Sequence, residues 1–417
     1  MSKRLVIAGI FLSSAFVDAP SYVHVGAISM MGALTGIFAA SIALLVLCRP
    51  GPALGALFRL WPLSLLFALS LLQVAFRPFS LQAGQTLCLQ WIFLGLIVLM
   101  VTGEATIDET SAARLLEYAA LFASLSYLIV FAFVGFGSAG IGAVSFIAAR
   151  SYALFALLGI ALFSARWATG SRASLWLALA IIFLVALSLS RTALVVGVLL
   201  VPLSRLESFS RRSFKRLLPL AILTVIALSY LVFSIGALRT RFLGDNSIQD
   251  YATGEATVDT SGRLTAWAVT LGSYVESPWF GKGPGSANDL MDDVLYRLEI
   301  GHPLNEYLRF LHDEGLVGLF LFLLGCGQLL HLCWRVYKAS LTTNPAYAGF
   351  YLATFLALAA SMLTMLTDNT ASYIFVMGPL GIMVGLTLRS QAMDSPAPAL
   401  SLPATTPPID EKQRAEA

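Results

Sequence analysis

Apolar runs recur along nearly the whole chain, separated by short polar stretches, and their lengths set the first expectation. A membrane-spanning helix needs about 20 mostly apolar residues, fewer where neighbours shelter it. By that measure helices are predicted over 5–23, 25–48, 60–76, 81–101, 115–136, 143–164, 174–189, 192–203, 217–236, 308–333, 348–367 and 372–388. The expected fold is an all-α, polytopic membrane bundle of about twelve transmembrane helices, the eighth short for a span. One transmembrane domain, 1–389, would contain a single long polar loop over 237–301. Residues 390–417, rich in Pro, Ala and Thr and without apolar periodicity, read as a disordered tail. There is no internal repeat.

Composition agrees with the pattern. Of 417 residues 58% are hydrophobic and only 12% are charged, about half the charged share of a soluble domain. The net charge is +3, and the basic residues sit in short clusters between apolar runs, not in the single patch that nucleic acid needs. Cys48, Cys88, Cys326 and Cys333 lie inside apolar runs and read as packing residues, with neither a disulfide framework nor zinc-ligand spacing. Lys3 and Arg4 ahead of a short apolar run ending at Asp18 mimic a signal peptide, but no small-residue cleavage site follows. This segment reads as an uncleaved first span.

Lys and Arg in short loops are retained on the cytoplasmic side. An N-terminus inside places Lys3, Arg4, Arg49, Arg59, Arg114, Arg166, Arg172, the cluster from Arg205 to Arg216, Arg335, Lys338 and Arg389 there. Both termini are then cytoplasmic and the loop 237–301 is external.

Charged residues within apolar runs are costly, so each suggests a function. Arg191 lies between two apolar stretches at the outer end of a helix. It reads either as an interfacial arginine snorkelling to headgroups or as a clamp on a lipid-borne phosphate, whose oxygens the guanidinium fork matches. Arg150, eight residues into the sixth run, reads equally as a bundle-facing polar site or as a sign that the run's helix register is misplaced. In the loop, Arg263 precedes Trp267 by one helical turn, a spacing that also suits stacking at the membrane surface. Asn305, Arg309 and His312 follow a period that puts them on one helical face. His302, ahead of Pro303, belongs to extended backbone at that helix's entrance, where it is either a solvated loop histidine or a general base. Asp292 and Asp293, close to Arg297 and Glu299, read as a solvated charged helix, with no metal site and no nucleotide-binding glycine loop.

Four segments, taken in order, resemble the O-antigen ligase and O-antigen polymerase superfamily, including exopolysaccharide polymerases of that type. They are Ser190-Arg191-Thr192-Ala193-Leu194; Ser261-Gly262-Arg263 with Trp267; Pro278 with Gly281-Lys282-Gly283-Pro284-Gly285; and Asn305-Glu306-Tyr307-Leu308 with Glu314-Gly315 and Gly318. In the family His usually precedes Asn directly, whereas here Leu304 precedes Asn305 and His302 lies three residues before it. The base is therefore open between His302 and His312.

The resemblance implies a bacterial inner-membrane enzyme that needs no metal or other cofactor and acts on the periplasmic side. It implies transfer of a glycan, with inversion, from an undecaprenyl-pyrophosphate donor to a sugar hydroxyl of a glycan or lipid A core acceptor, among membrane lipids. Arg191 and Arg263 are the expected stabilisers of the leaving pyrophosphate. His302 is the expected base, and Arg150, Asn305, Arg309, His312 and Trp267 are expected substrate contacts. A rival from another class is a secondary transporter or lipid-linked glycan flippase, for which the chain lacks the usual repeat symmetry.

Overall fold

The computed structural model describes residues 3–25, 28–76, 80–103, 107–135, 147–205, 263–295 and 302–394. The predicted span 217–236, the parts of the loop 237–301 outside 263–295, and residues 395–417 lie outside them.

The described chain is a helical membrane bundle. Its helices are α1 (Lys3–Ala15), α2 (Met30–Leu47), α3 (Pro50–Arg59), α4 (Trp61–Phe76), α5 (Leu81–Thr102), α6 (Glu109–Val134), α7 (Ala149–Ala168), α8 (Arg172–Leu187) and α9 (Arg191–Leu203). After the undescribed segment come α10 (Arg263–Tyr274), α11 (Ser286–Leu295), α12 (Glu306–Thr343), α13 (Pro345–Thr364) and α14 (Ile374–Asp394). The extended backbone is a minimal antiparallel pair, His24–Val25 with Ile28–Ser29.

Among the described residues six helices are long and apolar enough to cross a membrane, or up to seven if α3 and α4, bent by 104°, count as one span. Arg172–Leu187, Arg191–Leu203 and Ile374–Ser390 are shorter apolar helices. The first predicted span, 5–23, is cut short: α1 ends at Ala15, Val17 turns to a positive φ of 53°, and Asp18 accepts a hydrogen bond from Ala148 N at 3.0 Å. Of the predicted span 143–164 the described part starts at Ile147, and α7 begins at Ala149 after an extended Ala148, so Arg150 lies in the first turn of α7. At the far end α14 runs to Asp394, past the expected start of the tail at 390.

The core runs along α5, α7, α13 and α14, while Phe133, Trp176 and Phe320 on α6, α8 and α12 are largely exposed. Apolar side chains on both faces are what a bundle in lipid requires, because hydrocarbon gives no drive to hide them. Close packing holds α5 against α14 instead. A Cβ built on Gly385 would lie 2.6 Å from Met100 Cβ, and one on Gly381 3.1 Å from Phe93 O. That is the small-residue seam by which helices approach in membranes.

Two groups of charged residues mark opposite ends of the bundle. At one end Arg166 pairs with Glu117 at 2.7 Å and Arg389 with Glu109 at 3.7 Å. At the other lie Asp18, Arg150, Glu306 and Asp368, around the starts of α7, α9 and α12.

Candidate functional site

The site is built on a break in α12. Gly315 has φ 72° and ψ −169°, a conformation open to glycine at little cost. The break leaves carbonyls before it and amides after it without helical partners, and buried backbone groups must find others. The segment 278–283 supplies them. Lys282 N donates to His312 O at 2.9 Å and Gly283 N to Asp313 O at 2.7 Å, while Leu316 N donates to Pro278 O at 2.9 Å and Val317 N to Trp279 O at 3.1 Å. The approach is so close that a Cβ on Gly281 would sit 2.3 Å from Asp313 O, and one on Gly315 2.3 Å from Trp279 O. The glycine-rich loop and the Glu314-Gly315 pair, separate in sequence, are therefore the two halves of one clasp between the loop and the membrane helix.

Asp313 completes the clasp. Fully buried, it accepts from Gly285 N at 2.9 Å, Ala287 N at 2.8 Å and Ser286 Oγ at 3.0 Å, placing a carboxylate at the start of α11 where the helix dipole favours one. Its neighbour His312 is 1% exposed, with Nδ1 at 3.1 Å from Ser286 Oγ and Nε2 at 3.1 Å from Ser273 Oγ. Both ring nitrogens of His312 are thus occupied by the protein.

His302 is held differently. Its Nδ1 lies 3.0 Å from Asn288 Oδ1; a carbonyl oxygen only accepts, so Nδ1 carries the proton and Nε2 keeps its lone pair. Burial pushes the His302 pKa down to about 4, and the charges of Arg150 and Arg309 push the same way, against Asp368. The imidazole is neutral at physiological pH.

Arg150 is gripped by Asp368, with Nε 2.9 and 2.8 Å from its two carboxylate oxygens. Thr192, next to Arg191, bonds Thr367, next to Asp368. Glu306 N donates to Met365 O at 2.9 Å, the Glu306 carboxylate accepts from Ser372 N and Oγ, and it also holds Arg309. The short segment 365–373 therefore gathers the starts of α7, α9 and α12.

Of the residues singled out in sequence, Arg150, His302 and Arg309 are brought together, and Arg191 opens α9 beside them through Thr192. Arg263 is the first residue of α10, with Trp267 half-buried one turn on and the helix tied at Ser273 to His312. Asn305 does not share a helical face with Arg309 and His312; it is the N-cap of α12, accepting from Leu308 N at 3.1 Å. The sequence pattern gives no role to Asn288, Asp313 or Asp368, and it shows Glu306 only as part of a motif. A signal for Asp368 exists: it is the sole acidic residue between Glu314 and Asp394, as Arg150 is the sole charged one between Glu117 and Arg166. Lone opposite charges in apolar stretches are expected to pair.

Three non-glycine residues among those described have positive φ: Val17 (53°), Leu189 (58°) and Leu304 (56°). They lie next to Asp18, two residues before Arg191 and two after His302. Such backbone costs about 1–3 kcal/mol per residue and gathers at functional sites.

Residues 168–323 match the family model described as O-antigen ligase. The match supports membership of the O-antigen ligase and polymerase family and a function of that general type. It spans Arg191, Arg263, His302 and the whole clasp, while Arg150 and Asp368 fall outside it. No curated protein matches the chain. With several helices long and apolar enough to cross a membrane, the chain is a multi-pass membrane protein.

Proposed function

We propose that this protein is a membrane glycosyltransferase that moves a glycan from an undecaprenyl-pyrophosphate donor to an acceptor sugar hydroxyl, with inversion and without a metal ion. The observation that carries the reading is His302, held as a neutral tautomer by Asn288 with Nε2 as its accepting nitrogen, beside Arg150 and Arg309. The acceptor hydroxyl attacks the anomeric carbon from the side opposite the pyrophosphate. The new C–O bond forms as the sugar–phosphate bond breaks, and the proton passes to His302 Nε2. A histidine of low basicity suits this step when the hydroxyl loses its proton late, after attack has made it strongly acidic.

Pyrophosphate leaves with its negative charge, and Arg191 and Arg263 stabilise it through planar donor forks. Arg150, braced by Asp368, adds positive potential at the same end of the bundle. Trp267 offers an aromatic face to the glycan, and Arg309, locked to Glu306, fixes the start of α12. His312 has neither nitrogen to spare and serves the clasp. The strained backbone beside Arg191 and His302 supports a site held in place at a cost in stability. The excess of Lys and Arg at the opposite end favours a cytoplasmic location there, and hence a periplasmic site in the bacterial inner membrane.

The test is the cell-surface glycan after deletion of the gene, resolved by length and attachment. Short glycans on their normal anchor identify a polymerase, whereas long glycans accumulating on undecaprenyl lipid identify a ligase. Unchanged glycans in every fraction overturn the proposal.

A further inference from the structure

At the end of the bundle remote from His302 lies a cavity of about 780 Å³, between the end of α12, the start of α13 and the end of α14. Its size is within the 300–1,000 Å³ range, roughly, of small-ligand sites. Three cationic side chains, Arg335, Lys338 and Arg389, line it against one acid, Glu109. Glu109 is itself engaged, 3.7 Å from Arg389 Nη2 and 3.4 Å from the Tyr351 hydroxyl, so the cavity keeps a positive balance. Arg335 and Lys338 are exposed, one helical turn apart on α12.

Aromatic rings complete the wall. Trp334 carries the Lys338 ammonium 5.7 Å from its ring centroid and stacks at an angle on Phe355, with Tyr347 opposite. Trp and Tyr beside Lys and Arg form the belt found where a membrane protein meets the headgroup layer. The catalytic proposal uses none of these residues.

We propose that this cavity binds the phosphate headgroup of an anionic phospholipid from the cytoplasmic leaflet. The ligand chemistry is a phosphodiester: Arg335 and Lys338 approach it from α12 and Arg389 from α14, and the aromatic wall fits the glycerol and upper acyl region. A basic pocket between helices on the cytoplasmic side recognises such headgroups. A lipid and not a free phosphate is favoured because Trp334 and Tyr347 set the site at headgroup depth. The inference goes beyond the transferase reading and does not depend on it.

The test uses the full-length protein purified in detergent, with native mass spectrometry counting retained lipids after addition of phosphatidylglycerol or phosphatidylcholine. Phosphatidylglycerol should be retained in preference. Each basic residue near the headgroup plane contributes about fivefold in affinity, so the Arg335→Ala/Lys338→Ala double variant should lose roughly twenty-five-fold. A parallel arm with inorganic phosphate should leave the melting temperature unchanged where phosphatidylglycerol raises it. If the double variant does not fold, the native protein at high salt serves instead and should lose its preference. Equal retention of the two lipids, a preference that survives both the double substitution and high salt, or stabilisation by inorganic phosphate alone would overturn the proposal.

Discussion

Arg150 and Asp368, 218 positions apart in the chain, form a forked ion pair at the end of the bundle that holds His302. Asp368 is 3% exposed and Arg150 about a third exposed, at 34%. The pair joins the start of α7 to the turn that also bonds Thr192 and Glu306, so it braces three helix ends at once. Asp368→Asn keeps the shape and removes the charge. It is expected to cost roughly 1.5–3 kcal/mol, the range for hydrogen bonds to charged groups, and to lower glycan transfer along with the melting temperature. Thermal unfolding in detergent beside a transfer assay checks both. Arg150→Lys should not restore activity, because an ammonium cannot make the forked contact.

The pH dependence of stability follows from His302. Its folded pKa of about 4 lies below the ordinary 6.5, burial being the largest cause. A group depressed on folding contributes its full stability above its unfolded value and loses it as pH falls through the folded one. That contribution is therefore complete above about pH 6.5 and gone near pH 4. Melting temperature should decline over this window, and His302→Gln should remove that part of the decline. An unchanged slope in the variant would mean that the native imidazole is not held neutral.

Much of the bundle was legible from apolar runs alone. The predicted 60–76 and 81–101 agree with α4 and α5 to within a residue at either end. Periodicity failed where tertiary contacts decide the boundary. Val17 and Asp18 end the first run early because Asp18 is needed at the start of α7, and α7 starts late with Arg150 already polar and paired. Motif spacing cannot reveal that the Gly281 loop and Gly315 are one clasp, since that depends on backbone bonds between distant segments. For the same reason Asn305, expected on a substrate-facing side of a helix, proves to be its cap.

The clasp makes a sharp mutational prediction. Gly315→Ala forces a side chain into left-handed backbone, costing about 1–3 kcal/mol, and also drives its Cβ toward Trp279 O. The loop should detach before the bundle unfolds. Limited proteolysis between Tyr274 and Ser286 reads this directly, with rapid cleavage expected in the variant and protection in the native protein.

Topology gives an independent check. Acidic residues outnumber basic ones over 237–301, and positive-inside placement puts this loop outside. Alkaline phosphatase fused near Asp250 should be active. Activity from a fusion near Lys215 instead would invert the bundle and move the site to the cytoplasm.

The most direct measurement of the central claim is single-turnover transfer by the purified protein, in chelator, from a polyprenyl-pyrophosphate glycan donor, with donor binding measured separately. Removing a general base costs about 10²–10⁴-fold, so His302→Ala should lose transfer to that degree while binding donor normally, and His312→Ala should act mainly through stability. Arg191→Ala and Arg263→Ala should each lower transfer by about 100-fold or more. Native-rate transfer by a folded His302→Ala protein, or transfer that stops in chelator and resumes with magnesium, would contradict the account.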